Sequence, residues 1–438
     1  MKIMKFGGTS VGRPERMVEI SHLITQEDEP KIIVMSALSG TTNSLVEISD
    51  ALSKSDRIGA SEKIEKLKKH YEDFVTALYK SPEGKAAGAH ILADHFEFLD
   101  VILKISYSES LNKDILAQGE LLSTKIFSAY LNEIGVKHAW LPALEFMTID
   151  AAGEPQVGSI RVKLAQVLRD HSDTRLFVTQ GFICRNARGE VDNLKRGGSD
   201  YTASLIAAAV GASVCEIWTD IDGMHNNDPR IVQGTTPVRK LSFNEAAELA
   251  YFGAKILHPA SIWPAQHYNF PVRLLNTMEP HAPGTVISSE ASEEGVKAIA
   301  AKDAIIAVKI KSSRMLLAYG FLRKIFDVFE KYRTSIDMVT TSEVAVSLTI
   351  DSDTHLMEIV KELEMYGNIT IDHGQTIICV VGNKIALAPN ILIKIFDSLN
   401  DIPVRMVSFG GSRDNVSILV PGEYKEQALR QLHSGVFN

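Results

Sequence analysis

Lys5-Phe6-Gly7-Gly8-Thr9-Ser10-Val11-Gly12 lies between a short apolar run at residues 3–6 and a helix-like segment that begins at Pro14. A lysine at a strand end, two glycines and two hydroxyls are the parts of a phosphate cradle. Glycine lets backbone N–H groups converge on an anion with no Cβ in the way. A following helix adds the positive end of its dipole. Lysine supplies a mobile point charge for a phosphoryl group in transfer. The order differs from a Walker loop, where lysine follows the glycines. Taken alone, Gly-Gly-Thr-Ser is more often an ordinary strand-to-helix turn, so the phosphate reading depends on its neighbours.

Outward from this stretch, as far as residue 288, short β-branched runs alternate with amphipathic segments. Strands are expected at residues 3–6, 31–35, 176–179, 215–219 and 272–275, and helices at 14–25, 61–79, 120–134, 160–169, 199–210 and 243–250. Continuous apolar strands alternating with helices predict an α/β fold whose mostly parallel sheet is covered by helices on both faces. Ligands of such sheets bind beyond the carboxyl ends of the strands. Polar clusters fall there: residues 36–43 after the second strand, Gln180-Gly181-Phe182 after the third, and Asp220-Ile221-Asp222-Gly223 after the fourth.

The 438 residues are enough for two to four domains. A net charge of −8 argues against a general nucleic-acid binder. No apolar run reaches membrane-spanning length and Lys5 interrupts any signal-like core, so no membrane partner is expected. Cys184, Cys215 and Cys379 are too few and too scattered for a disulfide framework or zinc site, which suits a reducing, cytoplasmic compartment. His225 and His258 have no partners at ligand spacing, and no protein-held metal is expected.

Residues 289–295 turn acidic and small, as a linker does. Beyond them, strand 304–311, helix 320–333, strands 335–341 and 344–350, helix 354–366 and strand 368–372 make a βαββαβ unit of ferredoxin-like order. A second round runs from 376 through helix 389–400, strands 403–409 and 415–420 and helix 424–433, and stops before its last strand. A spare strand at 296–302 completes it. The expected division is therefore a catalytic domain 1–288, a first module 304–375 inserted into a second, and a second module of 296–303 plus 376–438.

Several segments now carry a resemblance. They are the opening Lys5 stretch, Ser36-Ala37 with Thr42-Asn43, Gln118-Gly119-Glu120, Arg196-Gly197-Gly198-Ser199-Asp200, Trp218-Thr219-Asp220 continuing to Asp228-Pro229-Arg230, and residues 252–259. In this order the chain resembles the aspartate kinases of the amino-acid kinase family, with two C-terminal ACT domains. Residues 335–343 and the ending Leu432-His433-Ser434 look most like the lysine-sensitive, single-function branch.

The resemblance implies transfer of the γ-phosphoryl of ATP, carried with Mg²⁺, to the β-carboxylate of L-aspartate. Such catalysis is alignment plus stabilisation of charge on the moving group. Lys5 is the expected electrostatic stabiliser, with Gly7, Gly8, Thr9 and Ser36 along the phosphates. By resemblance Asp200 holds the cationic groups; a helix N-cap is its plainer reading. Arg196 offers a planar fork for the α-carboxylate, and Glu120 a partner for the ammonium, unless it is an ordinary first-turn glutamate. The resemblance adds Thr42, Phe182 and Ser199 to the aspartate pocket, with plain core the other reading of Phe182. It also assigns Thr219, Asp220, His225, Arg230 and Lys255 to the nucleotide. Lys195 and His225 depart from the family pattern, in which glycine and tyrosine are usual.

The ACT pair implies an amino-acid effector, expected to be L-lysine, and a homodimer or higher assembly. Loop 311–320 can present N–H groups to the effector's carboxylate, with Gly320 and Phe321 at the start of its helix. Asp337 and Glu343 answer its amino groups, Ser342 adds a hydroxyl, and Met315 and Thr341 complete the pocket by resemblance. Two other readings are a kinase for glutamate, acetylglutamate or a nucleotide, and a non-catalytic amino-acid sensor.

Overall fold

In this computed structural model the described residues are all but 195–196, 254–256, 291–292, 313–314, 316–318 and 438. The chain divides into two compact units, Met1–Met224 with Ile256–Glu290, and His225–Lys255 with Ala291–Asn438. The sequence placed 225–255 in the first domain, whereas its contacts group it with the second unit.

In the first unit, the strands stand side by side in the order Ala139–Leu141, Leu176–Gln180, Lys31–Met35, Lys2–Phe6, Val214–Thr219, Val272–Asn276, Thr285–Ser288. All adjacent pairs are parallel except the last. Strands 31–35 and 176–180 are buried along their whole length, which explains their unbroken apolar runs. The first strand is flanked by 31–35 on one side and 214–219 on the other, with Lys5 level with Val34 and Ile217. Chain order reverses across it, so its carboxyl end opens onto the crevice where such sheets bind ligands.

Helices Pro14–Thr25, Thr41–Ser53, Arg57–Leu78, Pro82–Ile102 and Glu109–Glu133 pack one face through Met17, Ile20, Leu45, Ile48, Tyr71, Phe96 and Phe127. The helix expected from Glu120 starts earlier, at Glu109, capped by Ser108, whose hydroxyl accepts the Leu111 N–H at 3.1 Å. Gly119 does not interrupt it. A Cβ there would come within 2.8 Å of the Ala37 Cβ, so glycine lets the helix pass close to the loop after strand 31–35. Thr41-Thr42-Asn43, the end of the polar cluster after the second strand, forms the first turn of a helix behind Gly40, whose φ is +84°.

The second unit is built on one six-stranded antiparallel sheet in the order Val339–Thr341, Ala345–Ile350, Gly295–Lys311, Asn368–Asn383, Asn415–Pro421, Met406–Phe409. The expected separate strands 296–302 and 304–311 are one strand, bent by register shifts around residues 302–307 where Ala304 has φ +58°. Strands 368–372 and 376–382 are likewise one. The early half of the first long strand pairs with 377–383, which pairs with 415–421, and its later half pairs with 345–350. Helices Phe321–Lys331 and Leu356–Leu363 cover one half, and Ile391–Ser398 and Lys425–Phe437 the other.

The strand expected at 335–341 is ordered as strand only from Val339. The Met338 N–H donates to the Thr349 hydroxyl at 2.9 Å, so a side chain takes the place of a ladder carbonyl. Among the described residues no helix is long and apolar enough to cross a membrane.

Candidate active site

Strand 2–6 delivers Lys5 to the end of the sheet, and helix Gly198–Val210 delivers Asp200 in its first turn. Lys5 Nζ and Asp200 Oδ1 stand 2.5 Å apart, both largely buried. Gly197 caps that helix at φ +72°, a conformation glycine reaches without strain, so Asp200 is not the cap and its carboxylate is left for Lys5. At Gly7 a Cβ would meet Lys5 Nζ at 3.3 Å, and at Gly8 it would meet the Ala37 carbonyl at 3.1 Å. Gly7 keeps the space beside the lysine amine clear, and Gly8 lets this turn pass close to the loop after strand 31–35. Thr9 is exposed beside them, while Ser10 turns inward to Thr277 Oγ1 at 2.8 Å.

The loop after strand 31–35 gathers the rest. Ser36 Oγ donates to Ser199 Oγ at 3.0 Å, joining this loop to the helix that carries Asp200. The Ala37 N–H donates to Glu120 Oε1 at 3.3 Å, and Ser123 Oγ donates to the Ser36 carbonyl at 2.8 Å. Glu120 is 4% exposed, and its Oε2 has no hydrogen-bond partner among the described residues. Burial pushes its carboxyl up to about 8, opposed by the N–H of Ala37, its own backbone and the charge of Lys5. A buried carboxylate with one oxygen engaged and the other vacant is suited to a cationic ligand. The alternative of an exposed first-turn glutamate is excluded.

Gly181 sits so close to this cluster that a Cβ would lie 2.3 Å from that of Ser199. Phe182, only partly buried, holds φ +64°, and its N–H donates to Thr202 Oγ1 at 2.9 Å. A non-glycine residue in that conformation marks a site where the surroundings impose the backbone. Thr42 is exposed in the first turn of helix 41–53. Thr219 donates its hydroxyl to Asp220 Oδ1 at 3.1 Å at the end of strand 214–219. Arg196 and Lys255 lie outside the described residues. Gly181 was marked from sequence only as part of the cluster Gln180-Gly181-Phe182, and Ser123 was not singled out; the only trace of Ser123 is its spacing of three from Glu120, one helical turn on.

In the second unit, His225 Nδ1 lies 3.1 Å from Thr235 Oγ1. Arg230 grips Asp228 through Nε and an NH2 group at 2.9 and 2.7 Å, which holds the Asp228 carboxyl below its usual range. Of the effector candidates, Gly320 caps helix 321–331 at φ +75° and Phe321 packs edge-on against Tyr366. Met315 packs against the core of that half, while Thr341, Ser342 and Glu343 are exposed, the Ser342 N–H donating to the Ala345 carbonyl. Asp337 is engaged by Lys302 at 2.7 Å and by the Tyr251 hydroxyl at 2.6 Å. Among the described residues no three His, Cys, Asp or Glu side chains are grouped to hold a metal ion.

A parallel sheet ending in a lysine–carboxylate pair over glycines, followed by paired ferredoxin-like halves, defines a phosphoryl-transferring α/β unit with a regulatory sheet. Residues 1–276 match the model of the amino acid kinase family and residues 378–435 that of the ACT domain. The lysine-sensitive aspartokinase 3 of Escherichia coli (strain K12) is 32% identical over 447 residues, covering 99% of both chains. The chloroplastic aspartokinase 3 of Arabidopsis thaliana is 37% identical over 99% of this chain and 81% of its own. The crystal structure of E. coli aspartokinase III in complex with aspartate and ADP matches over 100% of both chains, with TM-score 0.89 and 31% identity. The same enzyme in complex with lysine and aspartate matches over 100% of both chains at TM-score 0.80 and 30% identity. The chain belongs to the amino acid kinase family and, within it, to the aspartokinases.

Proposed function

We propose that this chain phosphorylates the β-carboxylate of L-aspartate with ATP to give 4-phospho-L-aspartate, the entry to lysine, threonine and methionine synthesis, and that L-lysine inhibits it. The observation that carries the reading is the Lys5–Asp200 pair beside a buried Glu120 with one vacant oxygen. A carboxylate oxygen of aspartate attacks the γ-phosphorus as the bond to the bridging oxygen of ADP breaks. The acceptor has no proton to lose, so no general base is required. Lys5 offsets the charge spread over the moving group, and Asp200 fixes the lysine amine in place.

Glu120 receives the substrate ammonium on Oε2, and Arg196 is assigned to the α-carboxylate. Ser36, Thr42, Phe182 and Ser199 complete the aspartate pocket, and Gly7, Gly8 and Thr9 the phosphate cradle. Thr219, Asp220, His225, Arg230 and Lys255 are assigned to the nucleotide. Mg²⁺ is assigned to the ATP phosphates, arriving as part of the substrate.

The second unit is read as an ACT module 304–375 inserted into another made of 296–303 and 376–438, with its sheet the expected contact of a homodimer. Lysine is assigned to Met315, Gly320, Phe321, Asp337, Thr341, Ser342 and Glu343.

Hydroxamate trapping with ATP, Mg²⁺ and aspartate tests the activity, with glutamate and acetylglutamate as controls. Aspartyl hydroxamate alone is expected. Turnover of glutamate in preference, or of no acid at all, overturns the reading.

A further inference from the structure

The second unit holds a buried charged node that catalysis does not use. Asp337 has a side chain 1% exposed. Its Oδ1 accepts from Lys302 Nζ at 2.7 Å and from the Tyr251 hydroxyl at 2.6 Å. Lys302 Nζ also reaches Asp351 Oδ2 at 2.9 Å and lies 4.6 Å from the centre of the Tyr251 ring. Asp337 Oδ2 is buried, with no hydrogen-bond partner among the described residues. A carboxylate held firmly on one oxygen and vacant on the other leaves a buried acceptor for an incoming cation. Lys302 does not fill that role, because both its carboxylate contacts lie elsewhere.

Tyr251 ends helix Phe243–Tyr251 in the segment 225–255. The segment is pressed onto the same sheet. A Cβ on Gly253 would strike the Ala301 carbonyl, one residue from Lys302. Asn415 donates to Glu248, the Ile299 N–H to the Asn226 carbonyl at 2.9 Å, and Asn227 to the Leu429 carbonyl at 3.1 Å. Tyr251 is thus a direct hydrogen-bonded step from Asp337 into the stretch that carries His225, Arg230 and Lys255.

We propose that Tyr251 is a positioning residue that couples occupancy of the effector pocket, in which Asp337 answers an amino group of lysine, to the segment 225–255. This rests on the lysine reading above. A cation on Oδ2 draws charge from Oδ1 and loosens the Tyr251 hydroxyl bond, so effector binding and the seating of the nucleotide residues become linked. Linkage is reciprocal, with coupling typically about 5- to 150-fold.

Tyr251→Phe in the full chain removes only the hydroxyl and keeps the ring that packs edge-on against Phe252 at 5.0 Å. L-Lysine binding is measured by calorimetry, and initial rates are taken against ATP with and without lysine. The expected variant has wild-type activity without lysine and binds it within about threefold of wild type, yet loses at least about fivefold of the lysine effect on KM for ATP. Asp337→Asn is expected to lose lysine binding itself. An inhibition curve for Tyr251→Phe that overlays the wild type overturns the coupling role. So does a loss of lysine binding that accounts for all the lost inhibition. A wild-type chain that binds no lysine refutes the effector reading instead, and the coupling with it.

Discussion

Asp337 and Arg405 occupy matching positions in the two halves of the second sheet and carry opposite charges. Each precedes a Met-Val pair, and each backbone N–H donates to the facing strand, to Thr349 at 2.9 Å and to Leu419 at 2.8 Å. Each is paired, Asp337 with Lys302 and Arg405 with Asp372 at 2.8 Å. On the lysine reading, a diamino effector is expected to favour the first position over the second. Asp337→Asn is therefore expected to raise the half-inhibitory lysine concentration by at least about tenfold, the loss of a buried charge pairing. Arg405→Gln is expected to leave it within about twofold, since the half-exposed pair with Asp372 contributes little. Lysine titrations of the two variants decide this.

Lys5→Met is expected to lower kcat by on the order of 10²–10³-fold, the scale of losing one preorganised electrostatic donor. Arginine does not restore it, because a planar fork cannot sit in the space that Gly7 leaves for a compact amine. Hydroxamate initial rates at saturating ATP and aspartate measure the effect.

Glu120 gives a pH signature. Burial raises its carboxyl from 4.5 to about 8 in the folded chain, so the folded state keeps a proton that the unfolded chain gives up. Stability attributable to this group falls as pH rises from 4.5 towards 8, and is level beyond. Glu120→Gln escapes that loss, so its Tm gains on wild type between pH 5 and pH 8. Its KM for aspartate rises at every pH. Aspartate binding to wild type below pH 8 is expected to release a proton, seen by calorimetry in buffers of different ionisation enthalpy.

Gly181→Ala forces a Cβ to within 2.3 Å of the Ser199 Cβ and 2.7 Å of its Cα. Overpacking of that kind costs about 1–3 kcal/mol. A lower Tm with a raised KM for aspartate is expected, because Ser199 cannot give way without moving the turn that carries Asp200. Thermal melts and substrate titrations on one preparation measure both.

The strands around the site were legible because buried parallel strands leave short unbroken apolar runs, as in residues 32–35 and 176–178. Helix Pro82–Ile102 escaped because small residues and scattered histidines blur its periodicity, and helix 109–133 was shortened by Gly119. Lys5 and Asp200 stand 195 positions apart in sequence, and no local pattern brings them together; the resemblance did. The vacant oxygens of Glu120 and Asp337 had no signature at all. A carboxylate's partners are set by what folds around it, and the Tyr251–Asp337 bond joins positions 86 apart.

Two strands, 295–311 and 368–383, run unbroken through both halves of the second sheet. Neither half has a complete set of strands without a length of chain it shares with the other. Loss of order in one therefore strips hydrogen-bond partners from its neighbour, and the pair unfolds as one cooperative block. In slow amide exchange their central strands are expected to share a single opening free energy.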